Sequence, residues 1–77
     1  MTKEQFEQRL KEFPGADNVN ILGNGKFIAE MLLGSFDNVD EAERQERVYA
    51  FLRKRFNDDE MQAVEYILTN APGDPAP

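Results

Sequence analysis

The segment KFIAEMLLGSFDNVDEAERQERVYAFLRKRF, residues 26–56, holds the change of period that decides the fold. Its first part, residues 26–36, is nearly continuous in apolar residues and reads as a buried strand. Asp37-Asn38 makes a turn, where asparagine accepts a positive φ at low cost. Asp40 then stands as an N-cap, with Glu43 at the reciprocal capping position and acidic residues in the first turn. From there Val48, Tyr49, Leu52 and Phe56 recur at helical spacing with Phe51 beside them, which predicts a helix over 40–56. A strand thus runs into a helix within one short segment.

On the N-terminal side, Thr2 and Gln5 form a capping box, and Phe6, Leu10 and Phe13 give one apolar helical stripe that Pro14-Gly15 stops. The short β-rich run at 19–22 and the strand at 26–36 flank Gly23-Asn24-Gly25, residues suited to a tight turn, so a hairpin is expected. On the C-terminal side, the acidic run at 57–60 reads as a solvated loop that breaks the helix. Residues 61–68 then read as a third strand. The proline-rich end is too poor in apolar residues to fold, giving one domain over 1–71 and a disordered tail over 72–77. The expected architecture is α+β in the order α-β-β-α-β. Two helices pack on one face of a three-stranded mixed sheet, and the other face stays partly open.

Composition narrows the function. The chain has 77 residues, a net charge of −6, no cysteine and no histidine. It therefore lacks thiol chemistry, the commonest general base and the commonest metal ligand. No phosphate-cradling glycine loop or EF-hand spacing is present, so a non-catalytic protein is expected, without cofactor or metal. No apolar run approaches the roughly 20 residues that span a bilayer, and the N-terminus lacks the apolar core of a signal peptide. A cytoplasmic location without membrane contact is the expectation.

Against this acidic background, Arg44, Arg47, Arg53, Lys54 and Arg55 cluster in the long helix. They suit the wet side of a helix, a protein-docking face or a nucleic-acid surface. Successive residues turn by about 100°, so these side chains cannot share one narrow stripe. Glu43 and Glu46 also offer some of them local ion pairs. The overall acidity opposes non-specific nucleic-acid binding, which needs a net basic face.

Residues 25–52 and the run at 61–68 resemble the BolA-like family of small stress- and iron-linked proteins. Phe36 before the long helix, the Val48-Tyr49 pair within it, and Met61, Ala63 and Val64 in the following segment keep that family's order and spacing. The resemblance covers roughly residues 4–70 and implies a fold related to the class II KH domain. It also implies a protein partner, a monothiol glutaredoxin, with which many family members share a [2Fe–2S] cluster. A DNA-binding or transcriptional role, assigned to some members, is the alternative. In the cluster-sharing complex the family supplies a histidine at the start of the last strand and a His or Cys from the hairpin loop. Here those positions carry Gln62 and the loop Gly23-Asn24-Gly25-Lys26. Asn38 replaces a preferred glycine, and Gln45 a frequent histidine. Amides are poor ligands for iron–sulfur iron. The expectation is thus an interaction module in which Gln62 and the basic helix face a partner without completing a cluster. Nucleic-acid binding through residues 44–55, or an unrelated small α+β domain, stands as the alternative.

Overall fold

A computed structural model of the chain describes residues 1–22 and 26–74. Their elements are α1 (Lys3–Lys11), β1 (Asn18–Leu22), β2 (Phe27–Leu32), a 3₁₀ turn (Gly34–Phe36), α2 (Glu41–Arg53), α3 (Asp58–Ala63) and β3 (Val64–Asn70). The expected α+β order stands, with a short third helix inserted before the last strand.

α1 begins on its capping box: Gln5 N–H donates to Thr2 Oγ1 at 3.1 Å, and Thr2 N–H donates back to Gln5 Oε1 at 2.9 Å. α2 begins where Asp40 Oδ1 accepts from Glu43 N–H at 2.9 Å. The helix ends at Arg53 rather than at 56, although Arg55 and Phe56 N–H still donate to Leu52 carbonyl in the closing turn. Asn38, at φ 64°, adopts the left-handed conformation expected of it and turns the chain into this helix.

The sheet order is β1-β2-β3, antiparallel across β1–β2 and parallel across β2–β3, so the sheet is mixed. The hairpin residues Gly23, Asn24 and Gly25 lie outside the described residues. Phe6 and Leu10 of α1, Val48 and Leu52 of α2, and Ala29, Met31 and Ile67 of the sheet share one buried core. Phe6 meets Phe27 edge-on at 5.4 Å, and Phe13 meets Phe51 at 5.2 Å, so both long helices cover the same sheet face.

Three further expectations change. β2 stops at Leu32 instead of running to 36. Leu33 N–H donates to the Asn70 carbonyl at 3.0 Å, and the 3₁₀ turn that follows drops Phe36 into the core. The acidic run at 57–60 starts a helix rather than a loop. Asn57 and Glu60 form a reciprocal capping box, with Glu60 N–H donating to Asn57 Oδ1 at 2.8 Å and Asn57 N–H to Glu60 Oε1 at 3.0 Å. Consequently β3 begins at Val64, and Met61 and Gln62 belong to α3. Finally, residues 72–74 do not dangle. Asp74 N–H closes a turn onto the Ala71 carbonyl at 3.0 Å, and Gly73 N–H donates to Asp37 Oδ1 at 3.0 Å. Residues 75–77 of the expected tail lie outside the described residues.

Candidate functional surface: an open sheet face beside a guarded edge

Alternation along the strands divides the sheet into two faces. The register places Leu22, Ile28 and Tyr66 in one row of the uncovered face, Asn20, Glu30 and Leu68 in the next, and Asn18, Leu32 and Asn70 in the third. Tyr66 is 49% exposed, Leu22 38% and Leu32 36%. Five apolar side chains therefore line a face that no described helix covers. At its centre, Glu30 accepts from Asn20 Nδ2 and Asn70 Nδ2, each at 3.3 Å. Two amides hold that carboxylate flat between the apolar rows. A break in register between Phe27 and Ile28 inserts Glu65 as an extra residue on β3, and Glu65 Oε1 accepts from Lys26 Nζ at 3.3 Å beside Tyr66.

The two edges of the sheet differ. On β3, Gln45 Nε2 donates to the Ile67 carbonyl at 2.7 Å, and Arg44 Nη1 donates to the Thr69 carbonyl at 3.0 Å. Ala71 N–H donates to Asp74 Oδ2 at 2.9 Å. Side chains of α2 and the C-terminal turn thus take two outward carbonyls and one N–H of this edge and lie across the path of an added strand. Arg44 anchors this arrangement. It forms a two-pronged pair with Asp74, both contacts at 2.7 Å, and its Nε donates to the Val39 carbonyl at 2.7 Å. Its guanidinium also lies 5.8 Å from the Phe36 ring centroid. Thr69 Oγ1 donates to Glu41 Oε1 at 2.8 Å and accepts from Gln45 Nε2 at 3.2 Å, which closes the network.

This network has a pH signature. The hydrogen bonds from Arg44, then from Ala71, pull the Asp74 carboxyl down from 3.8 to about 2 against the opposing effect of burial, and the same contact raises Arg44. A carboxyl whose folded value lies below its unfolded one contributes stability above the unfolded value. That contribution is lost as pH falls from about 4 through about 2. Urea midpoints measured across that window should fall more steeply for the unmodified chain than for Asp74→Asn. Equal slopes would remove the pair from the account.

The predicted site residues separate. Arg44 is 7% exposed and spends four of its five N–H donors on two carbonyls and the Asp74 carboxylate, so it is turned inward and poorly placed to serve as a docking cation. Arg47 is exposed and pairs with Glu43 at 3.4 Å. Arg55 lies 3.6 Å over the Phe51 ring and pairs with Glu12 at 3.2 Å. Arg53 and Lys54 are exposed, with no ion-pair partner among the described residues. Gln62 is exposed on α3, displaced from the strand start by that helix. Sequence reasoning missed Asp74, although Pro72-Gly73 is a turn dipeptide that could have marked the chain's return. It also missed α3, whose Asn57-x-x-Glu60 spacing carries the capping signal.

Among the described residues, no group of three or more His, Cys, Asp or Glu is placed to hold a metal ion, and no helix is long and apolar enough to cross a membrane. Comparison with models of known protein families and with characterised proteins finds no match.

Proposed function

We propose that this chain is a non-catalytic protein-interaction module that docks its partner on the open sheet face. One observation carries the reading: Leu22, Ile28, Leu32, Tyr66 and Leu68 share a face that no described element covers. Apolar rows around a hydrogen-bonded carboxylate suit a partner that buries area and matches a few hydrogen bonds. The resemblance to the BolA-like family supplies the partner class, a monothiol glutaredoxin in iron–sulfur or stress regulation. The helix–hairpin–helix–strand order, with the last strand parallel to the central one, supports extending that likeness to the fold. Cluster sharing is left out of the proposal, because Gln62 offers an amide where the family has imidazole. The nucleic-acid alternative is weaker. With Arg44 internal and Arg47 and Arg55 paired, Arg53 and Lys54 remain as the uncommitted cations of the helix in a chain of net charge −6.

The test is an NMR titration of the labelled chain with a monothiol glutaredoxin, and separately with single-stranded RNA and duplex DNA. Shifts gathered on Leu22, Ile28, Leu32, Tyr66 and Leu68 with the glutaredoxin support the proposal. Shifts gathered around Arg53 and Lys54 with nucleic acid, weakening steeply with salt, would replace it. Glutathione-loaded mixtures should remain without a mixed-cluster visible circular dichroism band, and such a band from the unmodified chain would overturn the exclusion of cluster sharing.

A further inference from the structure

β1 is the edge that no described group guards. Its outward backbone groups follow from the pairing. Ile67 and Thr69 turn their carbonyls toward α2, so Tyr66, Leu68 and Asn70 face β2, as the bond from Leu33 N–H to the Asn70 carbonyl requires. In the parallel ladder this turns Ala29 and Met31 toward β3, and Ile28, Glu30 and Leu32 toward β1. Their register partners Leu22, Asn20 and Asn18 therefore bond inward, leaving the N–H and C=O groups of Val19 and Ile21 facing outward. Among the described residues, no side chain or backbone group outside the strand bonds to either. The strand, Asn18–Leu22, carries no charge and no proline, the usual devices that keep an edge from pairing.

We infer that two copies of this chain join antiparallel through β1, about a two-fold axis at Asn20, into one six-stranded sheet. Three features select a second copy over other occupants. First, the strand is complementary to itself in this register: Val19 of each copy faces Ile21 of the other in hydrogen-bonded pairs, and apolar side chains meet on the core side. Asn20 faces Asn20 with Cα atoms about 4.5 Å apart. Second, β1 itself brings no charge to the axis, and the carboxylate nearest it, Glu30, is held on the neighbouring strand by Asn20 and Asn70. Third, Arg44, Gln45 and Asp74 lie across the β3 edge and take the Ile67 and Thr69 carbonyls and the Ala71 N–H, which obstructs growth there. With one free edge per chain the contact is isologous and closes at two, instead of continuing as a filament. The inference does not rest on what docks on the open face, although the dimer would merge two such faces into one surface.

Analytical ultracentrifugation combined with amide hydrogen exchange tests it. The weight-average mass should climb from 8.8 kDa toward twice that value as concentration rises. In parallel, exchange at Val19 and Ile21 should slow by about tenfold or more while Asn18 and Asn20, already bonded within the chain, change little. Asn20→Lys places two like charges across the axis and keeps Glu30 as a neighbour within each chain, so it should remain folded and monomeric. A mass fixed at 8.8 kDa up to the millimolar concentrations of an NMR sample overturns the inference. So does a dimer that survives Asn20→Lys, or one that forms without protecting Val19 and Ile21. The exchange data come from the unmodified chain, so they decide the matter even if the variant folds poorly.

Discussion

Phe6→Ala should be the most damaging single core truncation, costing about 3–5 kcal/mol in urea or thermal unfolding. Phe6 is fully buried, and its ring touches Phe27 of β2 edge-on at 5.4 Å and Phe56 at 6.4 Å. It therefore ties α1 to both the central strand and the turn that closes α2. Removing the ring opens a cavity where three elements meet, which leaves little room for collapse. Small domains have total stabilities on the order of 5–10 kcal/mol, so the variant should lose about a third or more of its margin and unfold at markedly lower urea. A loss below about 1 kcal/mol would mean that α1 contributes little to the core.

Arg44→Ala should rank second, lowering Tm by more than about 10 °C. The side chain is 7% exposed, and its loss takes the donor from the Val39 and Thr69 carbonyls and leaves Asp74 with its bond from Ala71 N–H. Buried acceptors left without donors cost more than the bonds themselves contribute. The damage should also be local in a way that a core cavity is not. Amide exchange at Ala71 and Asp74 should accelerate, because both amides bond within the C-terminal turn that Arg44 fixes through Asp74. Arg44→Lys should recover little, since one ammonium cannot reproduce the two-pronged contact together with the carbonyl bonds. If Arg44→Ala melts within a few degrees of the unmodified chain, the network is ornamental. The β3 edge would then need another guard.

Most of the secondary structure was legible because its signals are local. Thr2 with Gln5, and Asp40 with its acidic first turn, announce helices through groups three residues apart. The period change in residues 26–56 separates strand from helix without any tertiary information. The local errors have physical causes too. Apolar residues run on past Leu32 because Leu33 and Phe36 are core residues of a turn, and burial alone does not distinguish a strand from a tight 3₁₀ bend. Residues 61–63 alternate well enough to pass for strand. The Asn57–Glu60 capping box outweighs that pattern by satisfying the donors of a short helix.

The candidate surface was less legible, and the basic helix shows why. A row of arginines fixes charge but not direction, and whether a guanidinium faces solvent or a carboxylate depends on a residue far along the chain. Arg44 meets Asp74 thirty positions later, so only the folded chain turns a seeming docking cation into the bolt of a sheet edge. The sequence by itself determined where helices and strands form, that the sheet has a hydrophobic face, and that neither thiol nor imidazole chemistry is available. Only the tertiary structure decided that the parallel neighbour of β3 is β2 rather than β1, that α2 and the C-terminal turn bond to its outer edge, and that Val19 and Ile21 of β1 face outward without a partner among the described residues. The reason is range. Caps and periodicity act within a turn or two, whereas an edge is defined by which strands lie next to it, and that is settled only when distant segments bury a common core.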